Sequence, residues 1–337
     1  MQTANQNPEP STVAAPGVSP VRSALAYVAL AFAFSWLLWM LVIKAHGREA
    51  FLYFGEAGPA VAAIALSIRR QRDLSSSRIQ RVVWFISMLA LCWIVLSLHY
   101  LGQAGAELHF RPDPILILPA VLPAWVLSGA CSSDAGVRAL LRRLIHPPNR
   151  WCLFALLSFP AFQLIPAAVA YHFKGKLIWP GNGGTMRVQV MQALIFFAFT
   201  LLFTAVLEEP GWRGFLLDRL QVRFSPLLST LLVWLPWSAW HGPLDYYRPV
   251  RFSLVVWLLL RVVTMIPLAI ILTWIYNRSG RSIQATALFH ASMNTCPYVL
   301  PYSQPGMALL FVWAAYAVVD GRMWQFDRKF TVNYPIR

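Results

Sequence analysis

Glu208 and Glu209 are adjacent carboxylates at the end of the apolar run VMQALIFFAFTLLFTAVLEEPGWRGFLL. Placing an ionised side chain at the centre of a bilayer costs at least about 2.5 kcal/mol, so an intramembrane acidic pair implies a functional site whose partners lie elsewhere in the chain. Spacing gives the two acids different work. Glu209 and Arg213 stand at i and i+4 with the acid N-terminal, the favourable order for a helical ion pair. Glu208, about 100° round the helix, is left without a local countercharge and is suited to take a proton from water and return it, the task of a general base. His241 sits at the end of the next apolar stretch, where it could bind the same water or shuttle the proton. His290 and Asn294, in QATALFHASMNT, are one helical turn apart and offer two donors on one face, suited to stabilising an oxyanion.

Three helices must bring these residues together. If the helix carrying the glutamates runs on through Arg213 to near Leu220, the chain reverses around Arg223 to Pro226 and returns through LLSTLLVWLPWSAWHGP. Glu208 and His241 are then each about 16 residues from the turn, roughly 25 Å along a helix, and so face one another. A kink expected at Pro210 reduces the true depth. The short basic turn NRSGRS then starts the helix that carries His290 and Asn294.

The rest of the chain supplies the solvent for such a site. Of 337 residues 58% are hydrophobic and only 12% charged, and the mean hydropathy is +0.55, beyond what a soluble domain of this size carries. The fold class expected is an all-α, polytopic transmembrane helix bundle of about ten spans. Apolar stretches fall at about 23 to 43, 51 to 68, 82 to 101, 114 to 131, 151 to 173, 188 to 207, 225 to 243, 252 to 276, 282 to 300 and 306 to 319. This divides the chain into a disordered tail (1–22), N-terminal transmembrane helices (23–175), a core (176–300), and a last transmembrane helix with a cytoplasmic tail (301–337).

The net charge of +15 reads as membrane topology rather than as nucleic-acid binding, because the arginines gather on alternate loops. With the N-terminus inside, about 19 basic residues lie inside and about 8 outside, with Arg261 left within a span. The expectation is a multi-pass protein of a bacterial cytoplasmic membrane with both termini cytoplasmic. Asp134 to His146 has apolar and basic residues at helical spacing and is expected to lie along the inner surface. Cys92, Cys131, Cys152 and Cys296 have no CxxC spacing and read as free thiols. Arg261 either snorkels or pairs structurally, or else touches substrate. Glu56 and Gly58-Pro59 read as an interfacial start and a kink.

Glu208-Glu209-Pro-Gly-Trp-Arg213, Trp237-Ser-Ala-Trp-His241 and His290-Ala-Ser-Met-Asn294 occur in that order on apolar stretches. Together they resemble the motifs of the CPBP family of intramembrane proteases: EExxxR, an aromatic followed four residues later by His, and HxxxN. This family includes CAAX prenyl endopeptidases and proteins linked to bacteriocin self-immunity. The resemblance covers about 188 to 300. It implies hydrolysis of a peptide bond in a membrane-associated, in some members lipidated, substrate reached from the cytoplasmic side. Glu208 and His241 would activate the water, His290 and Asn294 would support the oxyanion or a metal, and Glu209 and Arg213 would complete the site. Trp237 stands where many members have Phe, keeping an aromatic wall. Family membership also extends to proteins without a proteolytic role, so the alternative is a non-enzymatic membrane protein, an immunity factor acting by binding or a proton-coupled transporter.

Metal use stays open at this level. No HExxH is present, yet Glu208, His241 and His290 could form the three-ligand open site of a Zn2+ hydrolase. A zinc ion would lower the pKa of its bound water; without one, Glu208 must deprotonate it.

Overall fold

The computed structural model describes residues 19–71, 76–103, 113–174, 186–247, 253–299 and 305–326. Among them all regular structure is helical, as expected of apolar segments that must satisfy their own backbone groups away from water. The main elements are α1 (Pro20–Lys44), α2 (Gly58–Ser67), α3 (Arg78–Gln103), α4 (Ile117–Ser128), α5 (Ala135–Leu141) and α6 (Arg150–Lys174). They are followed by α7 (Arg187–Gln221), α8 (Pro226–Trp240), α9 (Gly242–Tyr247), α10 (Leu254–Arg278), α11 (Ile283–Val299) and α12 (Pro305–Asp320). Ser225 and Ser253 cap α8 and α10 by accepting from the Leu228 and Val256 N–H groups.

Seven helical stretches among the described residues are long and apolar enough to cross a membrane, against the ten expected. All ten apolar segments are helical, but α8, α11 and α12 have only 15, 17 and 16 residues, short of the ~20 that span the hydrocarbon core. Two of these three carry the His241 approach and the His290/Asn294 pair, so the site draws on the shorter helices of the bundle. The terminal tails expected to be disordered or cytoplasmic fall largely on residues outside those described.

The helices alternate between two ends of the bundle. At the basic end, Arg219 Nε donates to Ser23 Oγ at 2.9 Å, Asn149 reaches the Ser279 carbonyl at 3.4 Å, and Arg278 pairs with Asp320 at 2.6 Å. At the other end Arg48 pairs with Asp113 at 2.7 Å and Trp36 donates to the Trp240 carbonyl at 3.0 Å. The Asp134 to His146 segment buries one face and leaves Ala139, Arg142, Ile145 and His146 exposed at the basic end. Gly136, Val137, Arg138, Leu140 and Leu141 of α5 are buried, and Arg138 donates to the Ser132 and Cys131 carbonyls and to Ser76 Oγ at 2.6, 3.2 and 2.7 Å. Those acceptors satisfy a guanidinium that would otherwise hold the helix at the interface. Asp134 caps α5 and also accepts from the Arg69 and Arg70 N–H groups. Gly136 lies so close to Ser67 that a Cβ would fall 1.9 Å from its carbonyl oxygen. All four cysteines are free thiols.

Helix α7 does not break at Pro210. It runs through the proline with two wide π-helical turns, Leu201–Ala205 and Trp212–Leu217, flanking the segment Val206–Gly211 that carries both glutamates. Such turns absorb what a proline cannot supply, its missing N–H and the room for its ring, and they are frequent at functional sites. Gly211 lets this segment approach α2 and α1 closely, since a Cβ there would lie 2.4 Å from the Tyr27 hydroxyl and 2.5 Å from the Pro59 carbonyl oxygen. Gly211→Ala is therefore expected to destabilise the protein by about 1–3 kcal/mol. The check is the melting temperature in detergent; an unchanged value would show that α7 does not seat on α1 and α2 in this way.

Candidate active site

Glu208, Glu209, Arg213, Trp237 and His290 converge where α7, α8 and α11 meet, and Glu208, Glu209 and Arg213 are at most 1% exposed. The Arg213 guanidinium donates to Glu209 Oε1 at 3.0 Å and lies 4.2 Å above the Trp237 ring. The same carboxylate oxygen faces His290 Nδ1 at 2.7 Å. Glu209 thus bridges the expected arginine and a histidine from another helix. Sequence spacing exposed the first contact; the second depends on how α11 packs and has no local signal.

Glu208 makes a contact of its own: the Trp237 indole N–H donates to Oε2 at 2.7 Å. An aromatic wall was expected at position 237, but a hydrogen-bond donor to the acid was not foreseen, and phenylalanine could not supply one. His241 Nδ1 lies 2.8 Å from the Trp237 carbonyl, which fixes the ring and leaves Nε2 as its other polar edge. Asn294 follows His290 by one turn and is half-buried.

Glu208, Trp237, His241, His290 and Asn294 all line a single cavity of about 750 Å3. Phe159, Phe162, Phe199, Met265 and Leu268 supply an apolar part of its wall. The N-terminal half contributes too. Glu49, Tyr53, Glu56 and His99 face the same space, so Glu56 is more than an interfacial start. Arg261 also lines the cavity and is paired with Asp245, whose Oδ2 accepts from the Trp257 indole at 2.8 Å as well. It therefore does both things that the sequence offered as alternatives, forming a structural pair and facing the cavity.

The cavity occupies the half of the bundle away from the basic end. Glu49 and Tyr247 belong to segments at the opposite end. His290, seven residues into α11, sits roughly 10 Å from where that helix begins at the basic end. Between it and that end the bundle is closed. Thr286 and Ile283 are fully buried. Below them Asp218 accepts from Arg143 at 2.9 Å and from the Tyr276 hydroxyl at 2.8 Å, while Arg281 approaches it at 3.5 Å. Access from the arginine-rich side, expected from the sequence, is not what the structure provides: the cations that mark that side also knit it shut.

Glu208, His241 and His290 share the cavity, yet among the described residues no three His, Cys, Asp or Glu side chains are placed so that they could hold a metal ion. Nδ1 of each histidine is engaged, by the Trp237 carbonyl and by Glu209, and Glu208 Oε2 accepts from the Trp237 indole; Nε2 of each ring and the second Glu208 oxygen are the groups that could face a ligand.

Residues 190–296 match the family described as Type II CAAX prenyl endopeptidase Rce1-like. The matched stretch contains all three motifs and runs from α7 into α11. The chain is also 26% identical over 272 residues to CAAX prenyl protease 2 of Methanococcus maripaludis, an alignment covering 74% of this chain and 97% of that protein. The resemblance read from the motifs is borne out by both matches.

Two substitutions separate the roles of the glutamates. Glu209→Gln leaves the buried Arg213 without its countercharge and is expected to cost about 3–5 kcal/mol, seen as a lowered melting temperature. Trp237→Phe removes the donor to Glu208 and thins the ring against Arg213, so it is expected to lower melting modestly, less than Glu209→Gln, and to lower any turnover the site supports. Equal melting of wild type and Glu209→Gln would show that the Glu209–Arg213 pair does not hold the core.

Proposed function

We propose, from the Rce1-like core as premise, that this protein is an intramembrane endopeptidase that hydrolyses a peptide bond of a membrane-associated, lipidated substrate without a metal. The observation that carries the reading is the hydrogen-bonded Glu208, set in the cavity wall with His241, His290 and Asn294 and with a cluster of phenylalanines, leucines and methionines lining the same space. The lipid modification is carried over from the name of the Methanococcus relative, and an apolar wall of phenylalanines, leucines and methionines suits such a group.

The chain's own groups account for each proton. A water between Glu208 and His241 loses a proton to the free Glu208 oxygen as its oxygen attacks the substrate carbonyl carbon. The Trp237 indole holds the other Glu208 oxygen, and the Trp237 carbonyl holds His241 Nδ1, so one residue orients both partners of the water. Negative charge then develops on the former carbonyl oxygen. His290 in its protonated form donates through both ring nitrogens, one to Glu209 and the other to the oxyanion, and the Asn294 amide supplies a second donor. When the C–N bond breaks, Glu208 returns its proton to the leaving amine, and the products are an acid and an amine.

The test is cleavage of a prenylated peptide by the purified protein. Glu208→Gln is expected to abolish turnover while leaving the melting temperature near that of wild type, because it removes the base and keeps the shape. His290→Ala should lower turnover roughly a hundred- to thousandfold, the cost of losing one oxyanion donor. A strong chelator should leave wild-type turnover unchanged. Full activity of Glu208→Gln would remove the assigned base. Stoichiometric zinc lost in parallel with activity would overturn the metal-free mechanism while keeping the site.

A further inference from the structure

We infer that the bundle carries a binding site for an anionic phospholipid, separate from the catalytic cavity, in a pocket of about 470 Å3 between the start of α3, the turn Gly129–Cys131 and the end of α5. The phosphodiester of the lipid meets Arg142 at one end of the pocket, and an acyl chain leaves along the exposed face of α3. The site is independent of the peptidase reading, and its test needs no turnover.

The polar end comes from two arginines and a capping residue. Arg142 lines the pocket, is exposed, and forms no ion pair among the described residues. Arg81 donates to the carbonyl of Ser76, another lining residue, at 2.6 Å, so a second guanidinium stands at the wall with a neutral acceptor. Gln80 closes the capping box of α3: its Oε1 accepts from the Ser77 N–H at 2.8 Å, and its own N–H donates to Ser77 Oγ at 3.1 Å. The Gln80 side chain keeps its amide NH2 as a donor. None of the described lining residues is acidic, and Asp134, at the start of α5, is spent on the N–H groups of Gly136, Val137, Arg69 and Arg70. Such an end calls for an anion, and a basic pocket between membrane helices suits an anionic headgroup.

The apolar end decides what kind of anion. Ile79 and Val83 line the pocket, and Ile86 continues their face at i, i+4 and i+7. The three are 76%, 57% and 57% exposed. They make an apolar track roughly 10 Å long that starts inside the pocket. Trp84 forms part of the wall and donates to the Leu127 carbonyl at 3.3 Å, fixing α3 to α4. Free phosphate would leave the track unused, and a zwitterionic lipid would bring an ammonium group towards two arginines. A lipid of net negative charge satisfies both ends.

The full-length protein in dodecyl maltoside carries its own reporter. Cys131 lines the pocket and is only partly buried, whereas Cys92, Cys152 and Cys296 are buried. Its modification by a maleimide, followed by mass spectrometry of the peptide, is expected to slow as phosphatidylglycerol is added, about tenfold at a lipid concentration ten times the dissociation constant. Phosphatidylcholine with the same acyl chains, and glycerol phosphate with none, should leave the rate near that in detergent alone. Arg142→Ala should lose most of the protection by phosphatidylglycerol and keep the lipid-free melting temperature. Native mass spectrometry counts the lipid retained in each sample and reads the same comparison without the thiol. Equal retention of the two lipids would reduce the site to ordinary solvation by bilayer lipid, and protection by glycerol phosphate would make it a phosphate site. Undiminished binding by Arg142→Ala would remove the headgroup contact. Each of these results overturns the inference. If Arg142→Ala melts lower than wild type, the comparison of lipids on the wild type decides alone.

Discussion

One buried ion pair organises the core. Arg213 and Glu209 are 1% and 0% exposed, and a guanidinium so deep is tolerable only if its charge is met on the spot. Glu209 meets it from one turn away and Trp237 lies against the guanidinium face. Because His290 shares the same Glu209 oxygen, the pair is also the joint between α7 and α11, while Trp237 ties in α8. Three helices that have little else polar to offer one another are thereby held in one register. Glu208, the neighbouring residue, is the acid that this arrangement leaves facing the cavity.

The pair also explains why the local backbone is unusual. A regular α-helix through Pro210 would lose a hydrogen bond and crowd the preceding turn, and the wide turns on either side accommodate this without breaking the rod. A sharp kink would have swung Arg213 away from the three-helix junction. Gly211, packed against the Pro59 carbonyl, fits the same demand, since the segment can sit deep in the bundle only if nothing projects from that face. Beyond the level of the pair, α11 and the segment after α8 go on to wall the cavity, with Met293, Asn294 and Pro297 on one side and His241 and Leu244 on the other.

Much of this was legible beforehand. The i, i+4 spacing identified the Glu209–Arg213 contact, the hydropathy identified every helix, and the three motifs in order identified the core, because each is a local pattern. What escaped was set by packing between distant segments. The Trp237 donor to Glu208, the Glu209 bridge to His290 and the contribution of Glu49, Tyr53 and His99 to the cavity all join residues far apart in sequence. The span count is a coarser match for a related reason: seven helical stretches among the described residues have the length and hydropathy of a crossing, and the described parts of α8, α11 and α12 are shorter. The burial of Arg138 likewise depends on carbonyl and hydroxyl acceptors from neighbouring loops, which leave no local signal.

The two ends of the bundle express a division between closure and access. At the basic end arginines are consumed by structure, with Arg143, Arg219 and Arg278 each bonded to a partner on a different helix or loop. Each such contact fixes relative helix positions beneath the site and excludes water from the floor of the cavity, where the acid and the histidines must act in a low-dielectric setting to gain from their fixed orientation. At the other end the cavity walls diverge, and the one arginine among the described lining residues, Arg261, is held against Asp245 and Trp257. That anchoring leaves no unpaired charge in an apolar span. A rigid, sealed floor and an open mouth are what a hydrolase in a membrane needs: water and peptide must enter, but the catalytic groups must not move to admit them.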